Sequence, residues 1–305
     1  MSDLAPHAPS TREPFTFAHG DTGNPAGLDG IEFIEYATRE PQALGQVLET
    51  AGFRPIARHR SREVMLYRQG ALNLVINAHA DDMPGLLGDS RAPVISAIAL
   101  RVRDARAAFA HVRARGAWDV PGHAEIMELN IPAIHGPGKS LIYLVDRYDD
   151  FSIYDVDFIP IPSVNPHPPA VAGIGFFGIV QYIGSGRSAD WIEFYRELFG
   201  FEPVPDSQRY GVMPKGHLMQ APARHAGNAF MLQLVEPEPG VFDLDERFHR
   251  IGLGVPDVAQ AVNALRRGGM EFSDPLAVGD ELRGAITRTY LGSVVFELVR
   301  RDPTA

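Results

Sequence analysis

No cysteine occurs anywhere in the 305 residues of this chain. Disulfides, thiolate metal sites and cysteine nucleophiles are thereby excluded, and His, Asp and Glu are left as the possible metal ligands. A reducing cytoplasm is the expected location. Nor is there an excess of positive charge. Lys and Arg total 28 against 38 Asp and Glu, a net charge of −10, which repels phosphate backbones and argues against nucleic acid as the main partner. Apolar runs stop well short of the ~18 residues of a membrane helix. The opening MSDLAPHAPSTREPF has no basic segment followed by an apolar one, so neither a signal peptide nor a membrane partner is expected. A small-molecule ligand is the better expectation.

What the chain does have is length for two domains and a distant internal repeat. YATREPQALGQVLETAGF (36–53) is echoed by YIGSGRSADWIEFYRELFGF (182–201), and SAIALRVRDARAAFAHVRARGA (96–117) by HRIGLGVPDVAQAVNALRRGGM (249–270). GKSLIYLVDR (138–147) is echoed by LGSVVFELVRR (291–301). In the second pair Ala105, Phe109 and Val112 recur as Val258, Val262 and Leu265 at one offset of 153 residues. Both triples follow i, i+4, i+7, one face of a helix, and both helices end near a glycine, Gly116 or Gly269. PIARHR, EVMLYRQ and LNLVINA in the first half, and EPVPDS, RYGVMP and AFMLQLVE in the second, read as strands. The expected class is α+β: two domains, each made of two strand-rich modules with one helix near the start of each. The boundaries expected are a flexible tail at 1–26, domains at 27–157 and 173–301, a stiff proline-rich linker at 158–172 and a short tail at 302–305.

With GIEFIEYA, GFRPIARHRSREVMLYRQG and GKSLIYLVDRYD in one half, and GIGFFGIV, WIEFYRELFGFEP, HRIGLGVPDV and VVFELVRR in the other, the chain resembles the vicinal oxygen chelate superfamily, in particular the 4-hydroxyphenylpyruvate dioxygenases. The resemblance implies paired βαβββ modules, each domain an incomplete barrel around a pocket with helices outside. It also implies an Fe(II) site in the second domain, held by two histidines and a glutamate, and a homodimer or larger homo-oligomer. It further implies a closing helix after the last ligand. Here the sequence stops at RRDPTA, so a lid is expected to be missing or borrowed from another subunit.

Carried onto this sequence, the ligand positions fall on Gly178, Arg250 and Glu297, and only Glu297 can bind a metal; an always-protonated guanidinium repels one. A one-residue bulge would let His249 take the place of Arg250, because neighbouring strand residues otherwise face opposite sides. His217 and His225 are read as residues of a solvated loop. The counterparts of the three positions in the first half are Phe33, Ala97 and Leu144, all apolar, which makes that half structural. Arg250 and Glu297 are the candidate catalytic pair, Arg250 binding an anion while Glu297 exchanges a proton. Gln233, Val235, His249, Arg288, Tyr290 and Val295 are candidate substrate contacts. The leading expectation is therefore a metal-free enzyme or binding protein for a small anionic, aromatic or 2-oxo acid ligand, with lyase or isomerase chemistry and no cofactor. Two alternatives stand beside it: an Fe(II)-dependent 2-oxo-acid dioxygenase with an irregular ligand set, and a structural or regulatory relative without turnover.

Overall fold

A computed structural model describes residues 23–78, 87, 91–121, 129–205, 216–238, 240, 245–273, 276–278 and 281–301. In the first half the strands are β1 (Leu28–Ala37), β2 (Arg54–His59), β3 (Val64–Gln69), β4 (Leu72–Asn77), β5 (Val94–Val102), β6 (Ala133–His135), β7 (Leu141–Val145) and β8 (Phe158–Pro160). In the second they are β9 (Gly175–Tyr182), β10 (Glu202–Pro203), β11 (His217–Gln220), β12 (Met231–Val235), β13 (Arg247–Val255), β14 (Leu276–Val278), β15 (Glu281–Ile286) and β16 (Phe296–Arg300). Each set forms one sheet, in the orders β6-β7-β5-β1-β4-β3-β2-β8 and β10-β11-β12-β9-β13-β16-β15-β14. Apart from β8 and β14, the second order is the first reversed, strand for strand. The expected α+β class with two repeated halves is what the chain forms.

Helices α1 (Pro41–Thr50), α2 (Ala105–Ala114), α4 (Ser188–Phe199) and α5 (Val258–Arg267) follow the repeat, and the short α3 (Ile153–Asp157) lies between the halves in sequence. α2 and α5 start alike: the N-cap carboxylates of Asp104 and Asp257 accept from the amides of Ala107 and Gln260, satisfying a donor that the first turn would otherwise leave unpaired. Val112, Val258, Val262 and Leu265 are buried as their spacing predicts, and Phe109 is half-buried against the same core. That core joins both halves into one apolar cluster. The concave face of the first sheet is filled by its own cluster, Phe33, Ile56, Leu66, Val75, Val145 and Phe158 among others. No helix among the described residues is long and apolar enough to cross a membrane.

Several boundaries differ from expectation. Asn24 belongs to the fold rather than to a tail, since its side chain both accepts from the Leu28 amide and donates to the Leu28 carbonyl. The proline-rich stretch begins as β8, which pairs with β2. His217 lies in β11, not in a loop, while the RYGVMP stretch and residues 302–305 lie outside the described residues.

Candidate functional site

The second sheet's concave face is built by alternation. On β12, Leu232 and Leu234 enter the core and leave Gln233 and Val235 on the other side; Val294, Phe296 and Leu298 do the same for Val295 and Glu297. β13 breaks the pattern. Phe248 pairs with Gln181 but Arg250 pairs with Val180, a register shift that makes His249 the extra residue of a bulge. The same shift occurs in the first half, where Tyr36 pairs with Ile95 and Glu35 with Ala97, so Ser96 is extra there. The bulge is thus a property of the repeat, and it turns both His249 and Arg250 toward the concave side. His249 stacks on Tyr182, ring centroids 4.3 Å apart and planes 13° apart.

Arg250 and Glu297 meet as the sequence predicts. Arg250 Nε donates to Glu297 Oε2 at 2.8 Å, and both side chains are only 4% exposed. Arg250 Nη2 is buried with no hydrogen-bond partner among the described residues, and so is His249 Nδ1. Burial, then the charges of Arg250 and Arg247, push the His249 imidazole down to about 4, so the ring is neutral at physiological pH. A cavity of about 20 Å³ adjoins Glu297, bounded by Gly178, Val180, Met231 and Gln233 among others; that is room for about one water.

Two expected substrate contacts lie elsewhere. Arg288 is 68% exposed and pairs with Glu271 at 2.8 Å, and the Tyr290 hydroxyl accepts from the Glu271 amide at 2.7 Å. Both belong to the segment after β15, beside the C-terminal end of α5, not to the concave face. His225 is also remote, its Nδ1 bonded to Asp29 Oδ2 at 2.7 Å across the two halves. In the first half, Phe33 and Ala97 hold as counterparts of Gly178 and Arg250, but the third counterpart is Tyr143, not Leu144. Glu297 pairs with Gly252, and the matching partner of Ala99 is Tyr143, whereas Leu144 is in the core. The first half is also less apolar there than expected, with Glu35 buried and accepting from Ser96 Oγ at 2.7 Å.

Against this geometry the sequence comparisons decide the family. The model described as "Hydroxyphenylpyruvate dioxygenase, HPPD, N-terminal" matches residues 22–159, and that of the "Glyoxalase/Bleomycin resistance protein/Dioxygenase superfamily" matches residues 178–289. Hemolysin VllY of Vibrio vulnificus is 31% identical over 266 residues, 83% of this chain and 74% of that protein. The chain belongs to the vicinal oxygen chelate superfamily, on its 4-hydroxyphenylpyruvate dioxygenase-like branch. A 4-hydroxyphenylpyruvate dioxygenase of a Pseudomonas species is 38% identical over 183 residues, a match spanning 59% of this chain and about half, 51%, of that enzyme. A solved mutant of 4-hydroxymandelate synthase from Streptomyces coelicolor superposes with a TM-score of 0.69 over 90% of this chain and 93% of that one, at 19% identity. That last likeness is one of fold alone.

Iron is usual on the dioxygenase-like branch, and at the matched positions this chain presents Gly178, Arg250 and Glu297. The Glu297 carboxylate already faces the Arg250 guanidinium at 2.8 Å. A Cβ at Gly178 would stand 2.9 Å from the Met231 carbonyl carbon and closer still to its oxygen, so main chain closes the position to any side chain. His249 reaches the concave face but stacks on Tyr182. Among the described residues no three of His, Asp and Glu gather as a metal would require. Sequence reasoning missed Tyr182, although its alternation with Gly178 and Val180 along one strand was a usable signal.

Proposed function

We propose that the concave face of the second sheet is a metal-independent site for a small anionic ligand, with Arg250 as its anion-binding group and Glu297 as the carboxylate that exchanges a proton with the ligand. The observation that carries this reading is the guanidinium. One nitrogen bonds Glu297 while Nη2 is buried without a partner among the described residues. Leaving such a donor unpaired costs about 1–3 kcal/mol, more when it is charged, and an anionic ligand oxygen removes that cost with a charge-assisted bond. Glu297 stands 2.8 Å from the same guanidinium, near enough to take or return a proton on a ligand held there. Proton transfer of the isomerase or lyase kind follows, with a carboxylate or enolate as the charged part. The cavity size favours a second reading, in which the pair only ties β13 to β16 and nothing is turned over.

Two measurements test the proposal. After anaerobic loading with Fe(II) and desalting, elemental analysis is expected to find no retained iron in the wild type or in Glu297→Ala. One iron per chain, lost in the variant, would overturn metal independence. Thermal shift with oxalate, pyruvate and 4-hydroxyphenylpyruvate is expected to raise the Tm of the wild type but not of Arg250→Leu. If no anion stabilises either protein, the purely structural reading stands.

A further inference from the structure

We infer that two copies of this chain meet through their first halves, with α2 and Trp118 of each copy seated against the acidic Phe151 segment of the other. Trp118 and Phe151, 79% and 58% exposed, are the large apolar side chains left open among the described residues. Single exposed apolar residues are common on protein surfaces. Here the two stand in surroundings of opposite charge. Residues 103–118 carry four arginines against one aspartate, whereas residues 146–155 carry four aspartates against one arginine. Those four arginines and four aspartates are all exposed. Each copy thus offers a basic segment ending in an indole and an acidic segment holding a phenyl ring, matched in size of charge and opposite in sign.

Helix α2 holds the two segments at its two ends. Asp146 Oδ2 accepts from the Ala105 amide in the first turn at 3.0 Å. Asp119, next to Trp118, pairs with Arg113 in the last turn at 3.5 Å. Between these anchors Arg106, Ala110 and Arg113, spaced i, i+4, i+7, form one exposed face of the helix. A two-fold axis across that face sets the two helices antiparallel over about 15 Å of helix. The N-terminal end of each, with its acidic segment, then meets the C-terminal end of the other, with its indole.

The fold does not call for these residues. α5 repeats α2 with the same aspartate N-cap, yet at the offset of 153 residues Ala259, Gly268 and Glu271 stand where the first half has Arg106, Arg115 and Trp118. A role outside the fold accounts for them, and charge points to a second copy. Chains of net charge −10 repel one another on average, so they associate only where opposite charges are brought face to face. A two-fold contact does this twice, because each segment meets its counterpart in both copies. Trp and Arg are also the side chains that most often carry binding energy at interfaces. The inference does not depend on the anion-site reading above.

Sedimentation of the full chain at micromolar concentration tests this, with two charge-reversed variants. The wild type is expected to be a dimer that salt weakens. Arg106→Glu/Arg113→Glu and Asp149→Arg/Asp150→Arg are each expected to weaken it at least about a hundredfold, because like charges then face each other. Mixed one to one, the two variants are expected to form a mixed dimer, in which both contacts again pair opposite charges; that recovery also shows that both are folded. Trp118→Ala is expected to weaken the dimer at least about tenfold. A monomeric wild type overturns the inference. So does a dimer that either reversal leaves intact, which would place the contact on another surface, or a pair of reversed variants that fail to combine.

Discussion

Replacing Arg250 by leucine should be the most damaging single change on the concave face, and the reason is the charge it strands. Glu297 is 3% exposed and its carboxylate faces Arg250 Nε at 2.8 Å. Without the guanidinium an ionised carboxylate stays in a dry site, a loss of about 3–5 kcal/mol. For a chain of this size, with an unfolding entropy of about 2.1 cal/mol/K per residue, that lowers Tm by roughly 5–8 °C. The double variant Arg250→Leu/Glu297→Leu carries neither of these two charges and also removes the buried Nη2. It should recover most of the loss and end near the wild type or above it, because well-packed apolar replacements of buried ion pairs are neutral or stabilising by about 1–4 kcal/mol. Urea unfolding of the wild type, both single variants and the double at pH 7 gives the coupling directly. Additive losses in the double variant, or an Arg250→Leu protein within about 1 kcal/mol of wild type, would show that the two groups do not depend on each other in a water-poor site.

Other positions give independent checks. Gly178→Ala should cost about 1–3 kcal/mol through the clash of its Cβ with the Met231 main chain, whereas Gly227→Ala, whose Cβ meets nothing within 4 Å, should stay within about 0.5 kcal/mol; equal effects in chemical unfolding would contradict the closed position at Gly178. Burial raises the Glu35 carboxyl above its usual 4.5, and bonds from Ser96 and Asn77 offset this only in part. The unfolded chain therefore ionises first as pH rises, so the contribution of Glu35 to stability is full in acid and lost as the pH climbs through the raised value. Glu35→Gln should flatten that dependence and be the more stable protein at pH 7.5; a less stable variant there would refute the argument. At Asp29, burial pushes the carboxyl up, but the bonds from His225 and Asn228 outweigh it and hold the group below its usual 3.8. Its contribution is present above the ordinary carboxylate range and disappears as pH falls through the lowered value. Asp29→Ala should cost about 1–3 kcal/mol at pH 7, a loss that shrinks in strong acid when thermal melts are compared across pH.

The α+β class with its two repeated sheets, the four main helices and the meeting of Arg250 with Glu297 are all legible in the sequence. Each rests on a period that local chemistry writes into the chain: i, i+4, i+7 triples one offset of 153 residues apart, and alternation that keeps Gln233, Val235, Val295 and Glu297 on one side of their strands. Arg288 and Tyr290 lie away from their expected places because they come after the end of β15 and before the turn at 291–293, where no strand period carries the face forward. Leu144 does so for a related reason. One residue of slip in a strand exchanges core for concave side, and only the pairing of Ala99 with Tyr143 sets the register.

The tertiary structure alone decided the rest. The absence of cysteine excluded thiolate chemistry, and the repeat pointed to the fold. Whether His249 could share a face with Arg250 depended on a bulge, and a bulge is a relation between β9 and β13 that neither strand's sequence contains. Whether Gly178 could be more than a missing ligand depended on the Met231 carbonyl packed against it from β12. A side chain's identity is written in the sequence, but the free space and the partners around it come from strands brought together by folding, which is why the unpaired Arg250 Nη2 and His249 Nδ1 emerge only in the folded chain.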